Sequence, residues 1–508
     1  MWNSQKSFVF PFWFDYNKNI VNFQKRGFFT MDEIEPKKKY ITWQVLALMD
    51  FVTVIGFDDI IYNFQNQGMA VVFSWIVLLF AYVLPYELMV GHLGSAFSKD
   101  GGGLSSWMRH TSGDVWGYLT AWCYWVASLP YLVDVANSMV VSFFWIITGN
   151  GNLEDKLSRA SFALLTAAIT ILFIFFQHKF TSSLQVLSIV GGGAMFVMTI
   201  LFVLMTFVGL LNGGHIATHP LNAHTFIPKF DLHYFSTIGL LIFAMNGAEL
   251  VAPYVGQMKD GKKDFPKAMM ALALMTAFLT IFGSLAIGVF FDANHLPADL
   301  KMNGSYYAFL ALGQQFHMGK VLLYIFAVTQ AIYMGAQLAM LLDGGTRIFL
   351  SDTAKQFLPK ALTKTNKQGL PINGYWLTTG ICTFVLASSA FLPEINDIFN
   401  WLLNINGIVS PFVTCFIFVA FLRVRFNSEK FPSEYTYIKN KPWAIIVGFW
   451  CLAITALGTI FSIFPQDATP GTAKYTHELI LNIVVSVALM GLGVILPLVA
   501  KFQRKRAA

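Results

Sequence analysis

Apolar runs of about 20 residues recur along this chain with polar punctuation between them, and that is the length a helix needs to cross a bilayer core. Twelve runs are expected to span: residues 41–65, 69–97, 114–147, 159–177, 183–211, 234–256, 267–291, 319–344, 374–393, 398–422, 442–464 and 477–500. Of the 508 residues, 56% are hydrophobic and 12% charged, too few charges to solvate a globular surface of that size. The expected fold class is therefore an all-α polytopic membrane protein of about twelve transmembrane helices, with the lipid bilayer as its main partner. Fifty Phe and 13 Trp suit lipid-facing helices with interfacial rings.

The placement of charge sets the orientation, because cytoplasmic loops retain Lys and Arg. With the start of span 1 inside, the inner segments hold Lys37, Lys38, Lys39, Lys99, Arg109, Lys179 and the basic clusters within 257–267, 347–367, 423–441 and 501–508. The opposite loops hold only Lys156, Arg159, Lys229, Lys301, Lys320 and Lys474. Both termini are expected in the cytoplasm, in a cell (plasma or inner) membrane. The net charge of +7 thus reports topology, and no nucleic acid partner is expected.

Other features carry less. Residues 1–30 read either as a cytoplasmic tail or as untranslated sequence, since Arg26-Gly27 can be encoded as AGAGGA, a ribosome-binding tract just before Met31. Cys123, Cys382, Cys415 and Cys451 lie inside apolar runs without the pairing of a zinc or redox motif. The loop from Leu211 to His233 has four histidines with no metal-ligand spacing and room for a short surface helix. No His-Glu-x-x-His run, Gly-x-Ser-x-Gly elbow or Walker loop is present, so no enzyme activity and no cofactor is expected.

Inside a span the backbone must satisfy its own hydrogen bonds, so a glycine among polar residues at mid-helix marks a break that lines a cavity. Two runs qualify: Thr53-Val54-Ile55-Gly56-Phe57-Asp58-Asp59 in span 1, and Phe243-Ala244-Met245-Asn246-Gly247-Ala248-Glu249 in span 6. Plain glycine kinks are the alternative reading, yet the two breaks fall at the first span of each expected five-helix half. A half-helix starting near Gly56 would aim free N–H groups at an anion, and unwound carbonyls in span 6 would hold an ammonium. An amino acid zwitterion fits both.

Three motifs then identify a resemblance. Gly247-Ala248-Glu249 followed by Gly256-Gln257-Met258-Lys259-Asp260-Gly261-Lys262-Lys263-Asp264-Phe265-Pro266-Lys267-Ala268, the run Gly101-Gly102-Gly103-Leu104-Ser105-Ser106-Trp107, and Gly344-Gly345-Thr346-Arg347 with Leu358-Pro359-Lys360 and Asn366-Lys367-Gln368-Gly369-Leu370-Pro371 are all present. Together they resemble the amino acid, polyamine and organocation superfamily, most closely its glutamate/GABA antiporter branch. The resemblance implies a leucine-transporter-like fold of five plus five inverted helices with two added. Its domains would be a tail (1–40), a transporter core of spans 1–10 (41–425), spans 11–12 (426–500) and a basic tail (501–508). It also implies that Ile55, Gly56 and Phe57, next to Val54, meet a substrate carboxylate, and that Phe243, Met245 and Asn246, with Ala244, meet its amino group and side chain. The sequence departs from the pattern at Val54-Ile55-Gly56, where Gly-Ser-Gly is common, and at His92, where the family often has Glu.

Ionisable groups in a membrane are costly and usually functional. Asp50, Asp58, Asp59, Glu87, Asp134, Glu249 and Asp343 lie within or near spans, whereas Lys and Arg are expected only at span ends. Glu249 is an expected substrate contact, and Asp58, Asp134, Glu87 and His92 are proton or cation candidates. In span 3, Tyr124, Ser128, Tyr131, Asp134 and Ser138 recur at steps of three and four; in span 8, Gln330, Tyr333 and Gln337 do the same. Both stripes are expected to face the cavity, helix-to-helix packing being the other reading. The expected function is secondary transport of an amino acid or amine by alternating access, most simply as an amino acid/amine antiporter. A proton-coupled symporter or a non-transporting sensor with the same fold are the alternatives.

Overall fold

The structure, a computed structural model, describes residues 40–100, 103–179, 183–297, 299–366, 371–389, 395–466 and 468–506. The first thirty residues, Gly101-Gly102 and Lys367 to Leu370 lie outside them. Among the described residues nine helices are long and apolar enough to cross a membrane. Each of the twelve expected spans overlaps a helix.

In chain order the principal helices are α1 (Trp43–Val54), α2 (Phe57–Gln67), α3 (Ala70–Ala96), α4 (Leu104–Ser112), α5 (Asp114–Thr148), α6 (Arg159–Lys179), α7 (Ser183–Leu211) and α8 (Leu232–Met245). A 3-10 segment, Ala248–Gln257, continues α8 after a break. There follow α9 (Gly261–Phe290), α10 (Leu300–Gln315), α11 (Val321–Leu350), α12 (Ile372–Ser389), α13 (Ile395–Phe426), α14 (Lys441–Ser462) and α15 (Ala473–Lys505).

Helix starts carry their sequence signatures. The side chains of Thr42, Asp231, Asn440 and Thr472 accept backbone N–H groups at the first turns of α1, α8, α14 and α15. The loop from Leu211 to His233 does carry a short helix, one turn at Ala223–Phe226.

The packing follows the distribution of polar and small residues. Helices α5 and α11, which carry the two polar stripes, are 72% and 83% buried over their apolar windows, whereas α15 is only 11% buried. The outward side chains of α14 and α15, such as Phe449, Trp450, Ile480 and Val487, leave a broad apolar surface that water would not tolerate. Between α8 and α13 the backbones touch: a Cβ on Gly239 would lie 2.4 Å from the Gly407 carbonyl. This contact seats α8, and therefore the second break, against α13.

Lys301, read from sequence as a residue of an outer loop, opens helix α10 within that connection and is 2% exposed.

Candidate functional site

The first break is a short extended stretch. After Val54, Ile55 (φ −145°, ψ 127°) and Gly56 (φ −100°, ψ 170°) leave the helix, and α2 restarts at Phe57. Asp59, three residues on, accepts the Gly56 N–H on Oδ2 at 2.9 Å, so the half-helix caps itself with its own carboxylate. The Tyr333 hydroxyl of α11 lies 2.8 Å from the Ile55 carbonyl and 3.2 Å from that of Phe51. Gly56 is a matter of space, since a Cβ there would come within 2.4 Å of Asp58 Oδ1.

The second break draws on other helices. Asn246 is extended and Gly247 has φ +131°, a conformation that side chains other than glycine's rarely adopt. The freed N–H groups of Gly247 and Ala248 both donate to the Tyr86 hydroxyl, at 3.0 and 3.1 Å, and that hydroxyl donates to Glu249. Asn246 Oδ1 accepts from Tyr82 at 2.6 Å, and its Nδ2 donates to Thr414 of α13 at 2.8 Å. A π-helical turn at Leu79–Val83 interrupts α3 here, and the two tyrosine rings stack at 5.7 Å with planes 2° apart.

Between the breaks lies a cavity of about 50 Å³, room for a few waters and smaller than an amino acid. Thr53 and Val54 line it from α1, Tyr124, Ser128 and Tyr131 from α5, and Phe243, Asn246, Gly247 and Glu249 from the second break, with Leu341 and Ser410 completing the wall. Tyr131 joins this cavity to the first break. Its ring meets Phe243 edge-on at 4.9 Å, its hydroxyl donates to Asp59 Oδ2 at 3.2 Å, and it accepts from Gln337 Nε2 at 2.7 Å.

Of the expected site residues, Val54, Phe243, Asn246, Glu249 and Tyr131 therefore share one cavity. Ile55 and Gly56 do not line it; the Ile55 carbonyl accepts from Tyr333 and the Gly56 N–H donates to Asp59. Phe57 turns away: its ring packs against Phe202, Phe309 and Phe326. Ala244 and Met245 are buried within α8, and neither lines the cavity. In the α11 stripe Tyr333 and Gln337 contact the break and Tyr131 rather than the cavity itself, and Gln330, 2% exposed, lies further along the same helix. His92 is remote from this cavity, its ring edge-on to Phe421 at 5.5 Å.

Two further polar clusters flank the cavity. On the α1 side, Asp50 and Glu87 are fully buried within electrostatic reach of Glu249. Asp50 Oδ2 and both carboxyl oxygens of Glu87 have no hydrogen-bond partner among the described residues. On the α2 side, Lys301 Nζ lies 3.3 Å from Asp58 Oδ2 and 3.8 Å from Asp134 Oδ2. A third network ties the 3-10 segment to α11 and α12: Asp343 accepts from Tyr254 and Tyr375, and pairs with Arg347 at 2.7 Å.

Lys301, Tyr82, Tyr86 and Thr414 escaped the sequence reading. A signal for the first existed, because the connection from residue 292 to 318 is longer than the 12–15 residues or so that a structureless loop normally spans. The tyrosines are one helical turn apart, but nothing local marks which face of α3 meets the break.

Among known proteins, residues 41–489 match the family described as amino acid permease. The chain is 36% identical over 474 residues to the aspartate/glutamate permease AcaP of Lactococcus lactis subsp. cremoris, covering 92% of this chain and 97% of that protein. It is 26% identical over 406 residues to the probable agmatine/putrescine antiporter AguD of Lactococcus lactis subsp. lactis, covering 77% and 80%. To the glutamate/gamma-aminobutyrate antiporter of the latter organism it is 20% identical over 433 residues, covering 83% of each.

Proposed function

Because the chain belongs to the amino acid permease family, and so is a multi-pass membrane transporter and not an enzyme, we propose that it carries acidic amino acids by alternating access, in exchange for an amino acid or its derived amine. The observation that carries this reading is the cavity itself, which two interrupted helices frame and into which Asn246, Glu249 and Tyr131 project. The acidic class is supported by the 36% identity to a protein named for aspartate and glutamate. Exchange is supported by the two antiporters among the relatives and by α7, which contains no Lys or Arg to stand in for a coupling ion.

Substrate would bind between the breaks with its amino group toward Asn246 and Glu249. Its carboxylate would face the Gly56 N–H and the Tyr131 hydroxyl, the two donors that Asp59 engages in this conformation. The cavity must widen to admit it. In the proposed cycle α1, α2, α3, α8, the 3-10 segment and α9 rock against α5, α6, α11 and α12, exposing the site to each face in turn. The asymmetry of Lys and Arg supports placing both termini in the cytoplasm, which puts α1 on the inner and α2 on the outer side of the site.

One observation favours a second reading, uptake coupled to protons: Asp50 and Glu87 are buried beside Glu249 with unpartnered oxygens. Proteoliposomes separate the two. Labelled aspartate, glutamate, arginine and agmatine are offered to vesicles with or without internal substrate, and with or without an inward proton gradient. Exchange predicts that acidic substrates enter only when internal substrate is present. Uptake into substrate-free vesicles driven by the gradient would replace exchange with symport, and no uptake of the acidic pair would remove the substrate assignment.

A further inference from the structure

Lys301 has no part in the cavity, yet it is one of the most deeply buried cations among the described residues, its side chain 1% exposed. Its ammonium sits between Asp58 of α2 and Asp134 of α5, with the Tyr62 ring 5.9 Å away. A lone lysine in an apolar interior is unfavourable, so these two carboxylates are what hold it there. They come from the two bodies that alternating access must separate.

Helix α10 straddles the same boundary. Toward α2, the Lys301 backbone N–H donates to Gln65 Oε1 at 3.1 Å, and Nζ pairs with Asp58. Toward α5, Tyr306 shares a hydroxyl hydrogen bond with Ser142 at 2.8 Å, Trp145 donates to Asn303 at 2.8 Å, and the Trp145 and Tyr306 rings stack at 5.0 Å. Apolar packing also joins α10 to α2, with the Phe57 and Phe309 rings 5.5 Å apart and Gly304 against Ile61, so α10 is bound to both bodies and Lys301 sits where they meet. Position along α5 completes the picture. Tyr131 lines the cavity and reaches Asp59 of α2, and Asp134 lies about one turn further along α5, so the ion cluster adjoins the site on its α2 side.

We propose that Lys301 is a positioning residue of the transport cycle, a tethered cation that latches the outer side of the site shut. Opening to the outside moves Asp58 and Asp134 apart and breaks the bridge that Lys301 makes between them. The cluster thereby sets how often the carrier presents its site outward. The proposal rests on the inner and outer assignment made above.

The test uses the full chain, with its four native cysteines replaced by serine or alanine and Ser138→Cys added on α5 beyond Asp134. Modification by a membrane-impermeant thiol reagent, applied outside or inside right-side-out vesicles, reads access to the outer vestibule. Lys301→Met should speed modification from outside at least tenfold and change the apparent KM for external substrate at least threefold. Lys301→Arg, which keeps the charge, should restore slow modification, and Asp58→Asn should behave as Lys301→Met does. A merely structural lysine would lower the amount of inserted protein without changing access per molecule. Unchanged modification in Lys301→Met, or Arg failing to restore what Met loses, would overturn the latch. Modification of the introduced thiol only by reagent inside the vesicles would instead overturn the orientation, and with it the outward assignment.

Discussion

The two helix breaks have the same backbone problem and solve it from different sources. At the first, the freed N–H of Gly56 is satisfied three residues away, by Asp59 of the same half-helix. At the second, the N–H groups of Gly247 and Ala248 rely on Tyr86 of α3, and Asn246 relies on Tyr82 and Thr414. A self-capped half-helix carries its cap wherever it goes. A break capped by another helix keeps its shape only if that helix moves with it, so α3 and the 3-10 segment must travel as one body. The glycines differ likewise: Gly56 is required by a neighbouring side chain, Gly247 by its own backbone.

The largest expected effect falls on the second break. Asn246→Ala removes the acceptor of the buried Tyr82 hydroxyl and a donor to Thr414, whose own hydroxyl still donates to Ser410, a cost of about 1–3 kcal/mol, and removes a cavity wall. Uptake into proteoliposomes should fall to background while insertion, judged by yield and monodispersity, is retained; full uptake would exclude Asn246 from the site. Glu249→Gln should do the same, because the amide cannot replace the charge facing a substrate ammonium.

Gly247→Ala should lower stability by about 2 kcal/mol, since an L-residue is forced into a sparsely populated conformation. Gly56→Ala should lower it less, because φ there is ordinary and the added methyl displaces only the Asp58 carboxylate. Thermal unfolding of the two purified variants measures the gap, and equal losses would contradict the distinction between backbone and space.

A smaller contrast separates the capping tyrosines. Tyr86→Phe strands two buried N–H groups and should cost about 2 kcal/mol, with faster amide exchange at Gly247 and Ala248. Tyr333→Phe removes one donor from carbonyls at the first break and should cost about 1 kcal/mol. The smallest change is expected from Asp59→Asn, whose carbonyl oxygen still accepts the Gly56 N–H. Stability should hold within about 0.5 kcal/mol. Apparent affinity for an acidic substrate should rise, because the neutral amide competes less well for the same donors; a fall in affinity would argue against a shared anion position.

Much of this arrangement was legible in the sequence, for physical reasons. The nine span-length helices among the described residues followed from bilayer thickness, and both breaks followed from glycine among polar residues where a helix should continue. Spacing of three and four also placed Tyr124, Ser128 and Tyr131 on one face of α5. What the spacing did not give was partners. Tyr82 meets Asn246, Tyr333 meets Ile55 and Lys301 meets Asp58 across the bundle, from segments far apart in the chain. The burial of Lys301 was missed for the same reason: it looked like a loop residue because its helix is too short and polar to resemble a span. Phe57 was expected at the substrate because it follows Gly56, but the restart of α2 aims its ring into the Phe202 cluster.

The central claim is that substrate binds in the cavity between the breaks. Equilibrium binding of labelled aspartate and glutamate to purified protein, with wild type and Asn246→Ala compared at matched amounts of folded protein, addresses it most directly. Saturable binding by wild type, weakened at least tenfold in Asn246→Ala, is the predicted result. Binding of equal affinity in both proteins would place the substrate elsewhere and contradict the account.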